Sequence, residues 1–592
     1  MGIDRRCLRY QGRRELVALP KLHRGRRHAL HPGGRPGDER ARVSGLGAAA
    51  LRHPGRPGRR RHAGVEAAGN GRPAGLPGSS RFRQSVDESE VSGYRGIVIR
   101  RPFLAGLLAF AASAFGPLSA NASDSLWIGS REASARTAAL ISAIRASSDH
   151  GLDPAWYSIG EIEKAVAPGA DPVAVEALLT AAFVTYASDV STGRVRANRV
   201  DKEIDIQQRK VDKADLLKAA AEASDFAAWL ATLPPKGDYP ALQKALAKWR
   251  GKRATAVYTP MADGAALKPG MVDVRVPILR KRLAELDFAV PPAGAVADLY
   301  DEPLVAVVKA YQEIKGLTVD GVIGAKTVRS LNTTIDERIE QIVANLERRR
   351  WLPEDLGPRY VYVNTGDYSM IFVNEGKIAF RSQVIVGTPK DPTPEIQSVM
   401  RGFQTNPYWT VPQSIAGEEY LPILRRDPNA LAGSGFKIFA NWSTDEELDP
   451  NTIDWSSIHP KAFPYRIRQD SGASNALGYI FFPFANKYGI YMHDTASRWL
   501  FTEGSRNFSH GCIRLQNPLD FVDKVFNGKS GFSKERVQQV IAAGQQAHYT
   551  FPESITLYVT YRTVTANAEG MPTFRDDVYG RDRRVVKAMA KP

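Results

Sequence analysis

The hydrophobic period of this chain changes near Arg359, and that change constrains the fold more than any other feature. Upstream, apolar residues recur at helical spacing, as in Val173 to Ala187 and in Leu304 to Lys315, where positions 304, 305, 307, 308 and 311 are apolar. Thr334-Ile335-Asp336-Glu337 reads as a capping box. It opens a helix with Ile335, Ile339, Ile342, Val343 and Leu346 on one face, ended by Trp351-Leu352-Pro353. Downstream the period is two. Tyr360-Val361-Tyr362-Val363 and Met370-Ile371-Phe372-Val373 read as strands, with Asn374-Glu375-Gly376 as a hairpin turn and Ile378 to Val386 as the return.

The pattern predicts a multidomain α+β protein: a helical N-terminal scaffold over 123–262, a compact unit over 273–332 and a β-rich domain over 359–560. Residues 413–478, polar and with little strand character, read as an insertion folded over the sheet. Strands resume at Tyr479 to Phe484 and Tyr488 to Met492. Asn517 is placed to cap a helix with Pro518 at its first position.

The net charge of +17 is misleading until it is divided. Residues 1–86 hold 20 Lys+Arg and 5 Asp+Glu and so carry +15 of it; the remaining 506 residues hold 60 against 58. A nucleic-acid partner would rest on that Gly/Pro/Arg-rich stretch alone, and none is expected. Residues 1–90 are read as a basic, disordered or mis-started extension. Arg95, Arg100 and Arg101 then precede the apolar run Pro102 to Phe115, followed by Ala120-Asn121-Ala122. Together, residues 91–122 have the form of a secretory signal peptide. Membrane contact is expected at most through that segment uncleaved, and no other stretch reads as long and apolar enough to span. The mature chain would begin near Ser123 and carry Cys512 as its single thiol, so no disulfide scaffold is available to it.

That thiol stands in Ser509-His510-Gly511-Cys512-Ile513-Arg514, with His493 upstream at the end of a strand and 15 residues between it and Ser509. Only five histidines lie outside the N-terminal stretch, at 150, 459, 493, 510 and 548. Thiolate catalysis needs a nucleophile, a base, oxyanion donors and a hold on the acyl donor. Cys512 offers the first and a histidine the second. The amides of His510, Gly511 and Cys512 offer the third, since glycine lets the backbone approach a reacting carbonyl. Arg514 can hold a carboxylate, and its charge favours the thiolate. A lone cysteine is also a common buried hydrophobe. His493, His510 and Cys512, with Asp494, are by residue type a conceivable zinc set, although HExxH and a second mature cysteine are missing.

His493-Asp494-Thr495 with Ser509-His510-Gly511-Cys512-Ile513-Arg514-Leu515 resembles the L,D-transpeptidase catalytic domain of the YkuD type. Val386-Gly387-Thr388-Pro389 with Thr393-Pro394, Asn406-Pro407-Tyr408-Trp409-Thr410-Val411-Pro412, Asn475-Ala476-Leu477-Gly478 and Phe574 to Gly580 resemble its large, Gram-negative YcbB-like branch. Tyr311, Gln312, Gly316, Leu317, Asp320, Gly321, Gly324 and Thr327 resemble the peptidoglycan-binding domain type 1, a three-helix module.

The resemblance implies Cys512 as nucleophile and His493 as proton carrier, with the Asp494 carbonyl orienting its ring. His510 and Gly511 complete the catalytic set. Tyr491, Arg514, Ser509 and Asp494 line the substrate, and residues 413–478 correspond to a substrate-capping subdomain. The implied reaction is attack on a peptidoglycan tetrapeptide stem, release of D-alanine and a 3→3 crosslink in the periplasm. Water, a D-amino acid or a lipoprotein lysine are alternative acceptors, and carbapenems are implied as covalent inhibitors. No metal or organic cofactor is implied. A wall-binding scaffold without catalysis and a metal-dependent wall peptidase are the competing readings.

Overall fold

The computed structural model describes residues 125–591. The basic extension, the signal-like segment and Cys7 lie outside the described residues. The helical region begins with α1 (Arg131–Arg145), whose first turn is capped by Ser130, its hydroxyl accepting from Ala133 N at 3.0 Å. Next comes α2 (Pro172–Thr192), opened by Asp171 and Pro172. By length and composition α2 could cross a membrane, which corrects the expectation that no later stretch could. In the structure it is the core helix of this region: Leu179, Phe183, Ala187 and Val190 are fully buried, against Trp127 and Phe226 among others. A two-residue strand, β1 (Ile204–Asp205), and the helix α3 (Tyr239–Arg253) complete the region.

Helices α4 (Val276–Glu285), α5 (Glu302–Lys315) and α6 (Ala325–Leu331) enclose Leu279, Leu283, Leu304, Val308, Tyr311 and Leu331. Gly316 ends α5 in the left-handed conformation, with φ +67°. The following turn is held by the Gln312 amide, which donates to Asp320 Oδ1 and Val322 O at 3.0 Å each and accepts from Gly321 N at 2.9 Å.

Helix α7 (Ile335–Trp351) opens on the expected capping box: Glu337 N donates to Thr334 Oγ1 at 3.2 Å and Thr334 N to Glu337 Oε2 at 2.8 Å. Its arginine run is buried rather than solvated. Arg350 and Glu347, both 0% exposed, form an ion pair at 2.6 Å. Arg348 pairs with buried Asp582 of α10 (Arg581–Met589), the last helix described. An amphipathic reading of α7 misses this, because its second face is covered by the helical region and the chain's C-terminal residues.

The β-rich domain is built from β2 (Tyr360–Asn364), β3 (Ser369–Asn374), β4 (Lys377–Gly387), β5 (Glu395–Thr405), β9 (Ile480–Phe482), β10 (Met492–His493), β12 (Ile513–Leu515) and β13 (Ala547–Thr560). The two-residue turn between β3 and β4 has positive φ at Glu375 (53°) and Gly376 (72°), as a tight hairpin of this kind requires. Strand order is β5-β13-β2-β3-β4-β12-β10-β9, and β9 pairs again with β5, so the sheet closes on itself. β1 of the helical region joins β5 in parallel. β11 (Asn507–Ser509) lies beside the end of β4. Helices α8 (Pro518–Phe526) and α9 (Lys534–Ala542) cover one end of the core through Phe521, Val525 and Val537. Asn517 stands at the N-cap of α8, but its side chain makes no capping bond.

The insertion is less irregular than its sequence suggests. β6 (Trp409–Thr410), β7 (Phe436–Phe439) and β8 (Arg466–Gln469) form a three-stranded sheet in the order β6-β8-β7. It encloses a separate core of Val411, Leu421, Leu424, Ile438, Phe463 and Ile467. β8 alternates partly and fully buried positions, but its outward residues are arginines stacked on Phe439 and Tyr408, which hides the strand in a composition-based reading.

Candidate active site

Two short parallel strands carry the expected chemistry. β10 pairs with β12 so that Met492 lies opposite Ile513 and His493 opposite Arg514, and Ile513 N donates to Tyr491 O at 3.0 Å. Side chains alternate across a strand. Tyr491 and His493 therefore share a face with Cys512 and Arg514, while Met492 and Ile513 go to the core. The Tyr491 ring meets the His493 imidazole edge-on, with centroids 5.6 Å apart.

His493 is 4% exposed. Its Nδ1 lies 2.5 Å from the Asp494 carbonyl, so that nitrogen carries the proton, and the Leu477 carbonyl also lies within reach of the ring. Burial, and then the charge of Arg514, pushes the imidazole down to about 3. Burial likewise pushes the Cys512 thiol up to about 11, although hydrogen bonds from Tyr491 and the Arg514 charge pull the other way. The resting pair is thus neutral thiol and neutral imidazole. The Arg514 charge does favour the thiolate, as expected, but desolvation outweighs it. The Arg514 Nε is buried without a protein partner.

The turn that presents Cys512 is tied down from within. Ser509 donates from Oγ to Cys512 O at 2.5 Å, and the same oxygen accepts Gly511 N at 3.2 Å. Ser509 is buried, and both of these hydrogen bonds stay within the turn. Gly511 N, taken by that hydroxyl, drops out of the three expected oxyanion amides. Among the described residues no acceptor is found for the amides of His510 and Cys512. His510 points away from His493. Its ring is 40% exposed, and Nε2 lies 2.5 Å from Glu419 Oε1 of the insertion. Nearby, Lys390 and Glu418 pair at 2.9 Å, so two exposed contacts join the insertion to the catalytic face. Pairs of this exposure contribute little stability.

Asp494, also expected to line the substrate, instead buries its carboxylate. One oxygen accepts Tyr479 N at 2.9 Å and the other Arg498 Nη2 at 2.6 Å, and burial raises the carboxyl above its usual range. A cavity of about 670 Å3 lies on this side of Asp494, lined also by Arg498, Asn517, Lys534 and Gln538; Cys512 is not part of its lining. Gly478, with φ +59°, packs so closely that a Cβ there would come within 2.5 Å of Asp494 Cγ. Gly478→Ala should displace Asp494 and with it the carbonyl that orients His493. Misplacement on this scale costs roughly 10- to 100-fold in rate, read as acylation of Cys512 by mass spectrometry, with the melting temperature falling as well because alanine is strained at this positive φ.

Sequence reasoning did not single out Thr393, Tyr579 or Glu419. Thr393 and Tyr579 lie inside stretches that carry the family resemblance, and that was their only signal.

Comparison with known proteins matches the segment that holds these residues. Residues 358–537 match the family described as the L,D-transpeptidase catalytic domain, YkuD. Residues 119–246 match a scaffold domain, and 273–331 a "Putative peptidoglycan binding domain". A "Putative L,D-transpeptidase" of Haemophilus influenzae is 30% identical over 280 residues, covering 46% of this chain and 55% of that protein. The chain thus spans about half the length of the curated relative it matches. Two solved L,D-transpeptidases are also similar. The Xylanimonas cellulosilytica structure has 13% identity and a TM-score of 0.15, over 50% of this chain and 98% of that one. The Enterococcus faecium structure, a cysteine-to-serine mutant, has 11% identity and a TM-score of 0.16, over 60% and 93%. TM-scores this low carry no statement about shared shape. The Cys-His strand pair thus lies inside the segment that matches the L,D-transpeptidase catalytic domain of the YkuD type.

Proposed function

We propose that the protein is an exported L,D-transpeptidase that forms 3→3 peptidoglycan crosslinks in the periplasm of a Gram-negative envelope through a Cys512 thioester. The observation that carries this reading is the shared face of Tyr491, His493, Cys512 and Arg514 on β10 and β12, within the segment that matches the catalytic family. His493 Nε2 takes the thiol proton as Sγ attacks the carbonyl between the third stem residue and the terminal D-alanine. The oxyanion is met by backbone amides of the catalytic turn. The imidazolium gives its proton to the leaving amine, and D-alanine departs. The side-chain amine of a second stem then attacks the thioester, and its proton returns through His493 to the thiolate. A substrate carboxylate is the natural partner of the unpartnered Arg514 Nε. The 273–331 module supports peptidoglycan as the substrate. Carbapenems, as acylating amides, would modify the same thiol.

The test is product analysis by mass spectrometry after incubation with a disaccharide-tetrapeptide, using the protein and Cys512→Ala. A dimer lacking one D-alanine, lost by at least a thousandfold in Cys512→Ala, is the expected result. Monomer lacking D-alanine would make water the acceptor. No Cys512-dependent product and no carbapenem adduct would overturn the reading in favour of a wall-binding scaffold.

A further inference from the structure

Among the groups that hold the catalytic turn from outside is one fully buried hydroxyl. Thr393, fully buried, donates from Oγ1 to Gly511 O at 2.8 Å and accepts Gly387 N at 2.8 Å on the same oxygen. Its single proton therefore goes to the Gly511 carbonyl. That carbonyl and the Cys512 N–H belong to one planar peptide unit and, in the trans form, point in opposite directions. Whatever fixes the Gly511 oxygen thus also aims the Cys512 amide. Gly511 has φ +104°, a conformation open to glycine and costly for other residues, so the residue that permits this orientation does not itself enforce it.

Thr393 has its own supports. Its backbone N donates to the Tyr579 hydroxyl at 3.4 Å, and that hydroxyl donates to Gly387 O at 2.8 Å. Its carbonyl accepts Arg581 Nη1 at 3.3 Å. Arg581 is 0% exposed and pairs with Asp201 of the helical region at 3.1 Å. A Cβ on Gly387 would meet Asp391 O at 2.1 Å and Thr393 N at 2.7 Å, so this loop has no room to re-form with a larger residue.

We propose that Thr393 is a positioning residue for the oxyanion site, its hydroxyl locking the Gly511–Cys512 peptide so that the Cys512 amide faces the reacting carbonyl. The proposal deepens the acyl-transfer reading and rests on it. Its effect should be confined to steps that develop an oxyanion. Acylation by a carbapenem develops one. Alkylation of the same thiol by iodoacetamide, a displacement at saturated carbon, does not.

The experiment uses the purified protein, Thr393→Val, which keeps the shape but removes the hydroxyl from both Gly511 O and Gly387 N, and Thr393→Ser, which keeps the hydroxyl. Expected for Thr393→Val is a fall in carbapenem acylation rate of roughly 10- to 100-fold, somewhat less than removal of a whole oxyanion donor. Cys512 alkylation should stay within about twofold of wild type, and Thr393→Ser should restore most of the acylation. Equal losses in acylation and alkylation would overturn the proposal, because the hydroxyl would then hold the thiol or the fold. Unchanged acylation in Thr393→Val would overturn it as well. Failure of the underlying reading looks different: wild type would then show no acylation of Cys512 at all.

Discussion

His493→Gln should slow acylation of Cys512 at pH 7 by about 100- to 10,000-fold, and alkali should bring the rate back. With the thiol held up to about 11 by burial, only about one molecule in ten thousand carries a thiolate at pH 7. Wild type avoids this through an imidazole that is neutral and ready to accept, since burial keeps it down to about 3. The sign follows for both groups. Across pH 5–9 neither changes state in the resting enzyme, so the wild-type rate should be nearly flat. In the variant the rate should rise about tenfold per pH unit from 7 to 10, tracking the thiolate fraction. Glutamine can still donate to the Asp494 carbonyl, which spares the local fold. Carbapenem adduct formation followed by mass spectrometry between pH 6 and 10 reads both profiles. A variant as flat as wild type would show that another group removes the proton.

Arg350→Leu should lower the stability of the helical region by about 3–5 kcal/mol, because it leaves a carboxylate buried without its partner. Arg350 and Glu347 are wholly enclosed, and Arg350 also donates to the Tyr239 hydroxyl at 2.8 Å and to the His150 carbonyl. Glu347 accepts Val195 N at 3.0 Å and Trp351 Nε1 at 3.2 Å, so it cannot turn to solvent. Gly193, with φ +96°, packs against the same carboxylate. Urea unfolding followed by tryptophan fluorescence reports the change, Trp351 lying within the network. Arg350→Leu combined with Glu347→Leu should recover part of the loss, the coupling of the pair being the difference. A double variant as unstable as the sum of the single ones would show that the two side chains act independently.

What could be read from the sequence was what local structure decides. The Gln312–Gly316–Asp320–Gly321 turn closes within ten residues, and the Thr334–Glu337 capping box within four, so their residue types carry the conformation. The catalytic tetrad was legible for the same reason, as a glycine turn between a strand region and a helix, although the short strands on either side of it were not read. Thr393 and Gly511 are 118 residues apart and Asn345 and Thr563 are 218, and no period or motif links such positions. The effect of Arg514 on Cys512 was legible because the two are two residues apart, whereas the larger, opposing effect of burial belongs to the assembled domain. The strands of the insertion were missed because arginines on aromatic rings stand where exposed polar residues would.

The supports of Thr393 also bear on when the enzyme can become active during its synthesis. Tyr579 and Arg581 follow Cys512 by more than sixty residues, and β13, which fills the place between β5 and β2, also follows it. A nascent chain that has delivered Ser509 to Cys512 therefore carries nucleophile and base, but neither a closed sheet nor the groups that hold Thr393. On the proposed role of Thr393, a product clipped before residue 579 would keep its thiol but lack the Tyr579 and Arg581 contacts that hold Thr393.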